Sequence, residues 1–407
     1  MLSSTGAAVS IPDTILKQQA RTVARRAIAS TDIYKWPGLS FDGAGSLETG
    51  RIFIGPSDAD TRPLKWNHSA FQSSSRSSRE CEFFAVSPDG KLLSASFQRS
   101  TALVWRLSDG LLVQRLQNQG HTGRIQWIAF SPNSHHLVSG SDDKTAIVWD
   151  IRSGHVHLRL EGHRDAVQTV AYSPDGSRIA TGSDDRSVKI WDSSSGECLH
   201  SLDLGGEVYD ITFSPDSAQL TIELEDASAI CDAHTGARTA TLRHDGENML
   251  LSLSLQGDRA LIGSDNGTAT IWSTVTGKKL LRLNEHTDEI NSAAFSPDGA
   301  EVMTASNDRT VVTSDSRTGR RRRVYQVSSA VSSVIYSQNG DYVAMGDKAG
   351  RARVYYARSG EFLAEFEGQP AAVEELQFLP DGHSFLSHSE HDRAVRLWSI
   401  RDAIRLR

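Results

Sequence analysis

Short runs of alternating apolar and polar residues fill most of this chain, and turn residues separate the runs. The run at 167–172 leads into a Ser-Pro-Asp-Gly turn at 173–176, where proline presets φ and glycine accepts a positive φ. Further runs follow at 178–182, 188–191 and 197–202. Alternation over about four to eight residues between turn signals is typical of β-strands with one buried face, so this stretch predicts four short strands.

The same four-strand pattern recurs eight times at a period of 40 to 44 residues. One marker position is occupied in order by Trp105, Trp149, Trp191, Cys231, Trp272, Ser314, Tyr355 and Trp398. Five residues after the marker, seven copies carry glycine and the last carries Ala403. A fixed period of this length indicates one supersecondary unit per repeat, which buries its apolar face only against its neighbours.

Four-stranded units that repeat radially form a β-propeller. We therefore predict an all-β fold, a single closed β-propeller of four-stranded blades at 71–407. Eight markers predict eight blades, and the alternative is seven blades with one degenerate repeat packed outside. Only nine residues follow Trp398, too few for a turn and a fourth strand. The last blade is therefore expected to take its outer strand from the N-terminal segment, near 51–54 or 62–66.

Residues 1–70 differ in composition and predict an N-terminal extension, with a helix at about 14–30 and a Gly-, Ser- and Asp-rich segment after it. The helix carries four basic residues between 17 and 26 and no acidic one. Three interpretations stay open: a surface helix, a docking arm for a partner, or a mitochondrial presequence.

A second basic run, 320–323, falls at the outer strand of the sixth repeat, where charge protects an exposed sheet edge from pairing with another strand. The alternatives there are a contact with an acidic partner or nucleic acid, and a nuclear import signal.

The repeats resemble those of the WD-repeat β-propeller family over 71–407, most closely in the second and third copies. In that family a His, a Ser or Thr, an Asp and the marker Trp of one blade form a buried hydrogen-bonded tetrad. The resemblance implies two structural tetrads, His121, Ser139, Asp143 and Trp149, and His163, Thr181, Asp185 and Trp191. The sixth repeat keeps His286, Thr304 and Asp308 but has Ser314 at the marker, and the last keeps Ser387, Asp392 and Trp398.

A His–Ser–Asp set also occurs in hydrolytic enzymes, but the tetrad implies another role. A nucleophilic serine must be exposed beside an oxyanion hole, whereas the tetrad hydroxyl points into the blade towards an indole N–H. The 14 histidines are scattered or structural, and no carboxylate or metal-binding cluster follows the repeat register. We predict a non-enzymatic protein with no catalytic residue, no cofactor and no metal. A propeller enzyme with its active site at the channel mouth is a remote alternative.

Composition narrows the class of partner. The formal net charge is −7, which argues against binding of nucleic acid through bulk charge. The three cysteines lack C-x-x-C spacing and cannot form a disulfide framework, which favours an intracellular protein. No apolar run reaches the roughly 18 residues of a membrane span. The opening residues lack the pattern of a secretory signal. We expect protein or peptide partners in a multiprotein complex, no small-molecule substrate and no membrane. The expected compartment is the cytoplasm, the nucleus or both, with mitochondrial import as a minor alternative.

In the WD-repeat family, partner contacts concentrate on the top face, just after the tetrad His and just before the tetrad Asp. The resemblance maps these positions onto Arg124, Gln126, Asp142, Gln168, Asp184, Tyr209, Asn291 and Asn307. Trp127 joins them because the resemblance places its column close to the central channel, and this column holds mostly small or polar residues in the other repeats. Its indole either fills the taper of the channel or serves as a recognition aromatic. We therefore predict a scaffold that binds peptide or protein partners on the top face.

Residues 137–152 suggest an alternative function. They match the W-D-x-R box of substrate receptors of cullin-RING ubiquitin ligases, with Asp150 and Arg152 as the contacts to the ligase adaptor. Most of this box is ordinary blade sequence, and Arg152 alone adds information.

Overall fold

The computed structural model describes residues 83–405, except for 97–99, 118–119, 225–226, 244–249, 368, 370 and 390–393, and three short segments nearer the N-terminus. These segments are the strands β1 (Ser40–Phe41), β2 (Ser46–Leu47) and β3 (Gly50–Ile54). The predicted helix at 14–30 and the segment 62–66 lie outside the described residues.

The other strands form eight antiparallel blades, each following the chain from its first strand to its last. The first four blades are β4 (Phe83–Val86), β5 (Leu92–Ser96), β6 (Ala102–Arg106) and β7 (Leu112–Leu116); β8 (Ile125–Phe130), β9 (His136–Ser141), β10 (Thr145–Asp150) and β11 (Val156–Glu161); β12 (Val167–Tyr172), β13 (Arg178–Ser183), β14 (Ser187–Asp192) and β15 (Cys198–Asp203); and β16 (Val208–Phe213), β17 (Gln219–Leu224), β18 (Ala227–Asp232) and β19 (Arg238–Arg243). The next three are β20 (Leu250–Leu253), β21 (Arg259–Gly263), β22 (Thr268–Ser273) and β23 (Lys279–Asn284); β24 (Ile290–Phe295), β25 (Glu301–Ser306), β26 (Thr310–Asp315) and β27 (Arg321–Gln326); and β28 (Val331–Tyr336), β29 (Tyr342–Asp347), β30 (Ala352–Tyr356) and β31 (Phe362–Phe366). The eighth contains β32 (Glu375–Phe378), β33 (Ser384–His388) and β34 (Ala394–Ser399), and the helix α1 (Ile400–Arg405) follows it.

The blades close into a ring in which the first strand of each blade is innermost. Neighbouring blades share apolar clusters, and one cluster joins the first blade to the last through Phe84, Leu93 and Trp105 on one side and Leu386 and Val395 on the other. The prediction of an all-β propeller with eight blades is confirmed, and the alternative of seven blades is wrong.

The outer strand of the last blade comes from the N-terminal segment. Strand β3 pairs with β34 in antiparallel register, from Gly50 opposite Trp398 to Ile54 opposite Ala394. This is the first of the two places that the sequence offered for it. Strand β2 pairs in parallel with β31 of the seventh blade, and β1 pairs with β2. Backbone hydrogen bonds thus join the two ends of the chain at the seventh and eighth blades.

Burial within a blade follows from its two neighbours. The middle strands β9 and β10 are buried almost throughout, whereas the outer strand β11 alternates between exposed and covered residues. Along β10, Ile147 and Trp149 pack towards the first blade, and Ala146 and Val148 pack towards the third. Side chains alternate across a strand, so a middle strand between two blades needs apolar residues on both faces.

A hydrogen-bonded chain of four side chains crosses the second blade. Trp149 Nε1 donates to Ser139 Oγ (2.8 Å), Ser139 Oγ lies 2.8 Å from His121 Nε2, and His121 Nδ1 lies 2.9 Å from Asp143 Oδ2. The third blade repeats these contacts at 2.9, 2.7 and 3.0 Å with Trp191, Thr181, His163 and Asp185. A neutral imidazole satisfies the whole chain, because the hydroxyl donates to Nε2 and Nδ1–H donates to the carboxylate.

The carboxylate at the end of this chain stays ionised. Burial opposes the charge on Asp185, but hydrogen bonds from Ser187 Oγ, the backbone N–H of Arg164 (2.7 Å) and His163 outweigh it and hold the pKa of Asp185 well below its usual range. Burial lowers the pKa of His163 despite the carboxylate beside it. At neutral pH the pair is therefore a neutral imidazole that donates to a carboxylate.

Two other blades keep part of the tetrad. In the sixth, His286 lies 2.8 Å from Thr304 Oγ1 and 3.0 Å from Asp308, while the buried hydroxyl of Ser314 has no hydrogen-bond partner within the described chain. In the eighth, Trp398 Nε1 donates to Ser387 Oγ (2.8 Å), which donates to Gln369 Oε1 (2.8 Å). Glutamine stands here where the other tetrads have histidine, at the same distance of 18 residues before the hydroxyl. Asp392 lies outside the described residues.

The seventh blade uses an ion triad instead. Met345 occupies the position of the tetrad hydroxyl, and the nearly buried Arg353 bonds Asp347 (2.8 Å) and Glu365. These three residues lie on β29, β30 and β31, so the guanidinium links three strands of one blade. Removal of one member of such a buried set leaves an uncompensated buried charge, which strongly destabilises the fold. All three residues are therefore needed for the stability of this blade.

The basic run at 320–323 reaches into the outer strand β27 of the sixth blade, where the repeat register puts it. Arg322 bonds Glu301 (2.7 Å) and Asp315 (2.6 Å). Arg323 donates to backbone carbonyls of the turn after β30 in the seventh blade. Arg322 and Arg323 are therefore paired with acceptors inside the propeller.

The marker tryptophan should be a major contributor to stability. Trp191→Ala removes a buried indole and its hydrogen bond to Thr181, so we expect a loss of about 3–5 kcal/mol in the free energy of unfolding. Cys231→Ala, at the same position of the fourth blade, removes one buried sulfur and should cost far less. Urea denaturation of both variants measures the difference, and equal losses would contradict this assignment.

The Asp185 carboxylate should make stability depend on pH in one direction. Its pKa is lowered in the folded state, so its contribution is present above the unfolded value of about 3.9 and is lost as the pH falls below it. Asp185→Asn should therefore be less stable than the wild type by about 2 kcal/mol at pH 6, and the difference should shrink between pH 4 and pH 2.5. Urea titrations across this range provide the measurement, and a difference that stays constant would contradict the assignment.

Candidate functional site

Alternation of strand direction gives the propeller two faces. The loops that enter the first strand of each blade and the turns between second and third strands lie at one end, which we call the top face. The Ser-Pro-Asp-Gly turns and the turns between third and fourth strands lie at the other end, the bottom face. In each complete tetrad the Asp joins two top-face loops, since Asp143 Oδ2 accepts from the backbone N–H of Thr122 (2.8 Å).

The top loops of the second blade approach each other closely. A Cβ atom on Gly123 would lie only 2.6 Å from the backbone nitrogen of Asp143, so the loop that enters β8 has no room for a larger residue. The backbone nitrogen of Asp142 donates to the carbonyl of Arg124 (3.0 Å), and Asp184 and Ala166 form the equivalent bond in the third blade (3.0 Å). Two loops that are distant in sequence are thus fixed against one another.

The structure brings six of the predicted partner-binding residues together in pairs. Each pair joins the residue just after the strand entry to the one just before the tetrad Asp. The pairs are Gln126 Nε2 to Asp142 Oδ1 (2.6 Å), Gln168 Nε2 to Asp184 Oδ2 (2.6 Å) and Asn291 Nδ2 to Asn307 Oδ1 (2.8 Å). The first two pairs are exposed and the third is partly buried.

A bulge in the first strand of the second, third, fourth and sixth blades explains where these side chains stand. The register between first and second strands shifts by one residue at Gln126, Gln168, Tyr209 and Asn291. A bulged residue has no opposite partner and is aimed differently from its neighbours. Tyr209, in the fourth blade, is 53% exposed as a result. The sequence spacing identified these four positions, but the bulge that they share is visible only in the structure.

Trp127 follows the bulge and lies on the innermost strand of the second blade. It is half-buried, and its ring centroid lies 4.6 Å from that of Phe83 on the innermost strand of the first blade. It also packs against the apolar cluster that the second and third blades share. The indole is therefore held by three blades and keeps part of its surface exposed on the innermost strand, and Arg124, three residues earlier in the chain, is exposed as well.

Asp210 and Glu375 occupy the repeat position of Trp127 in the fourth and eighth blades, and the pKa values of both carboxyl groups are raised. The sequence assigned them no role. Burial raises the pKa of Asp210, whose Oδ1 accepts a hydrogen bond from Thr169 Oγ1 (3.0 Å). Glu375 is open to the solvent of the channel, but the surrounding protein desolvates it and raises its pKa to about 7. Only closure of the ring brings these groups into a common channel, and a single repeat contains no sign of it.

The W-D-x-R box lies elsewhere. Arg152 is exposed in the turn after β10 on the bottom face, and its carbonyl accepts from Gln114 Nε2 of the first blade (3.0 Å). Hydrogen bonds from the side chain of Ser153 and from its backbone N–H (2.6 Å) lower the pKa of Asp150. The structure therefore separates Asp150 and Arg152 from the pairs on the top face.

The described part of the chain contains no group of three or more His, Cys, Asp or Glu side chains arranged to hold a metal ion. Ser139 and Thr181, the hydroxyls of the complete tetrads, are fully buried, so neither can act as a nucleophile on a substrate in solution. Within the same residues, no helix has the length and apolar character that crossing a membrane requires.

Comparisons with known proteins identify relatives across the propeller. The family model of the first β-propeller of IFT122 matches residues 148–399, more than half of the chain of 407 residues, and the model of the WD domain, G-beta repeat, matches 112–150. Eukaryotic translation initiation factor 3 subunit I from Drosophila willistoni is 27% identical over 333 residues, which cover 77% of this chain and 92% of the relative. The same subunit from Bos taurus is 27% identical over 330 residues, with 76% and 90% covered.

A solved structure supports the fold. The crystal structure of the computationally designed Ika8 protein has a TM-score of 0.67 and 24% sequence identity, and the match covers 79% of this chain and 97% of that protein. The repeat register, the eight blades, the tetrads and a family match over more than half of the sequence agree with one another. The chain belongs to the WD-repeat β-propellers, in the family described by the first β-propeller of IFT122.

Proposed function

We propose that this chain is a non-enzymatic scaffold that holds a protein or peptide partner on its top face within a multiprotein complex. The observation that carries the proposal is the rigid top of the second and third blades. There, each tetrad fixes two loops, and each pair of loops presents a hydrogen-bonded amide and carboxylate to solvent. Preorganised contacts lose less conformational entropy when a partner binds.

The chemistry of this face suits a peptide with mixed polarity. Arg124 and Arg164 supply positive charge, Asp142 and Asp184 supply negative charge, and all four are exposed on the top-face loops of the second and third blades. Trp127, on the innermost strand of the second blade, adds a partly exposed aromatic surface. Aromatic anchors surrounded by polar groups are the usual composition of binding hot spots, whereas a phosphate backbone would favour a uniformly basic face.

The relatives support membership in an assembly. They are named as subunits of a eukaryotic translation initiation factor, so a role as one component among several is the role that similarity favours. The same similarity favours the cytoplasm, where eukaryotic initiation factors act. The cullin-RING alternative would use Asp150 and Arg152 on the bottom face, and it stays a prediction.

Loss of the central top-face residues should abolish partner binding without unfolding the propeller. In Trp127→Ala/Arg124→Ala, we expect recovery of partners by affinity purification and mass spectrometry to fall at least about tenfold, because truncation of hot-spot anchors costs 2 kcal/mol or more. The propeller should stay folded, with a lower melting midpoint because the indole no longer packs against Phe83 and the apolar cluster of the second and third blades.

Arg124→Glu alone provides a check that does not touch the apolar packing of Trp127, and it should lower recovery as well. Arg320→Ala/Arg321→Ala, on the exposed outer edge of the sixth blade, is the matched control and should leave recovery intact. Recovery that depends on residues 320–323, or on the basic segment between 17 and 26, would contradict the proposal.

A further inference from the structure

The bottom face of the fifth blade exposes an unusual amount of apolar surface. Among the described residues, the large hydrophobic side chains with the highest exposure include Val275 (65%), Leu255 (61%) and Leu280 (53%). Leu255 lies in the turn between β20 and β21, Val275 in the turn between β22 and β23, and Leu280 at the start of β23. We call these three residues the bottom patch. They lie on the face opposite Trp127 and the amide–carboxylate pairs.

The other repeats do not carry this patch. The position of Leu255 is proline in six of the other seven repeats and Gln338 in the remaining one. The position of Val275 is Ser, Arg or His in all seven. Both turns therefore fold well without an aliphatic residue, so the requirements of a propeller blade do not explain Leu255 and Val275.

Hydrogen bonds hold the two turns of the patch side by side. The backbone nitrogen of Thr274 donates to the carbonyl of Asp258 (3.0 Å), and Thr274 Oγ1 donates to the carbonyl of Gly257 (2.6 Å). Val275 follows Thr274 directly, and Leu255 lies two residues before Gly257. The two exposed side chains thus lie on adjacent turns that are hydrogen-bonded to each other. Less conformational entropy is therefore lost when a partner binds them.

Basic residues border the patch on the side of the outer strand and of the sixth blade. Lys278 and Lys279 are exposed between Val275 and Leu280. Arg259 donates to Ser316 Oγ (2.9 Å) of the sixth blade, which brings the exposed Arg317 to the edge of the fifth.

The acidic residues nearby are engaged locally. Asp258 lies 3.7 Å from the guanidinium of Arg259, and Asp298 accepts hydrogen bonds from Ser296 and Ala300 within its own turn. Asp216, in the neighbouring turn of the fourth blade, likewise accepts hydrogen bonds from Ser214 and Ala218 within its own turn. On the side of the outer strand and of the sixth blade, basic residues therefore border the apolar side chains.

We propose that the bottom patch is a second docking surface, for a short protein segment that carries apolar anchors flanked by Asp and Glu. The anchors bury Leu255, Val275 and Leu280, and the acidic flanks pair with Lys278 and Arg317. The chain's own basic segment at 14–30 does not suit this surface, because it has the same sign of charge. The proposal is independent of the function assigned to the top face.

A random 16-residue peptide library displayed on phage tests this surface directly. The full-length wild type and Leu255→Ser/Val275→Ser serve as baits, and Val113→Ser/Leu199→Ser is the matched control because it removes two exposed aliphatic residues from other blades. We expect one peptide class that the wild type and the control retain and the patch variant loses. Its members should share two or more apolar positions and an excess of Asp and Glu.

A synthetic peptide of that class, measured by fluorescence anisotropy, should bind the patch variant at least about tenfold more weakly than the wild type. It should also weaken with Lys278→Glu/Arg317→Glu and with added salt. Binding to Trp127→Ala/Arg124→Ala should stay unchanged, which separates this proposal from the one for the top face. The absence of a patch-dependent class, or a class rich in Lys and Arg, would overturn the proposal. Wild-type self-association in sedimentation velocity that Leu255→Ser/Val275→Ser abolishes would overturn it in favour of a second copy of the chain.

Discussion

The hydrogen-bonded chain from the marker tryptophan to the tetrad aspartate is the interaction on which the second and third blades depend. It buries an indole N–H, a hydroxyl and an imidazole and leaves none of them without a partner, which removes the penalty that buried polar groups otherwise carry. Its last member accepts from the backbone of the loop that enters the blade. The same chain that joins the strands therefore also fixes the loops of the top face.

Blades without the whole hydrogen-bonded chain place other side chains at the tetrad positions. The eighth blade replaces histidine with Gln369, whose amide oxygen accepts from Ser387. The seventh places Arg353 between two carboxylates on adjacent strands. The sixth keeps its histidine but leaves the Ser314 hydroxyl without a partner in the described chain. Regularity is therefore concentrated in the second and third blades, where each complete tetrad fixes two top-face loops, and the fourth, sixth, seventh and eighth blades depart from the repeat.

The repeat spacing was sufficient to predict the fold, because each blade repeats the same local pattern and the markers stay in register from Trp105 to Trp398. The resemblance to the WD-repeat family implied the two complete tetrads, and the same spacing located their residues. The same 18-residue spacing also places Gln369 in the histidine position before Ser387. The sequence could not identify Glu375 in a channel that only the closed ring creates. The sequence does not predict the bottom patch for another reason, since Leu255 and Val275 are ordinary apolar residues in the sequence and only the structure shows that they are exposed.

The most direct test of this account measures hydrogen exchange at the indole N–H groups, with resonances assigned through single Trp→Phe variants. The tetrad indoles of Trp149 and Trp191 donate to buried hydroxyls and should exchange only through opening of their blades, at least about a hundredfold more slowly than the indole of the half-buried Trp127. Phe substitution of Trp149 should also accelerate exchange at the backbone N–H of Thr122, which the same chain holds. Equal exchange rates for the three indoles would show that the tetrads do not hold the blades, and would contradict the account.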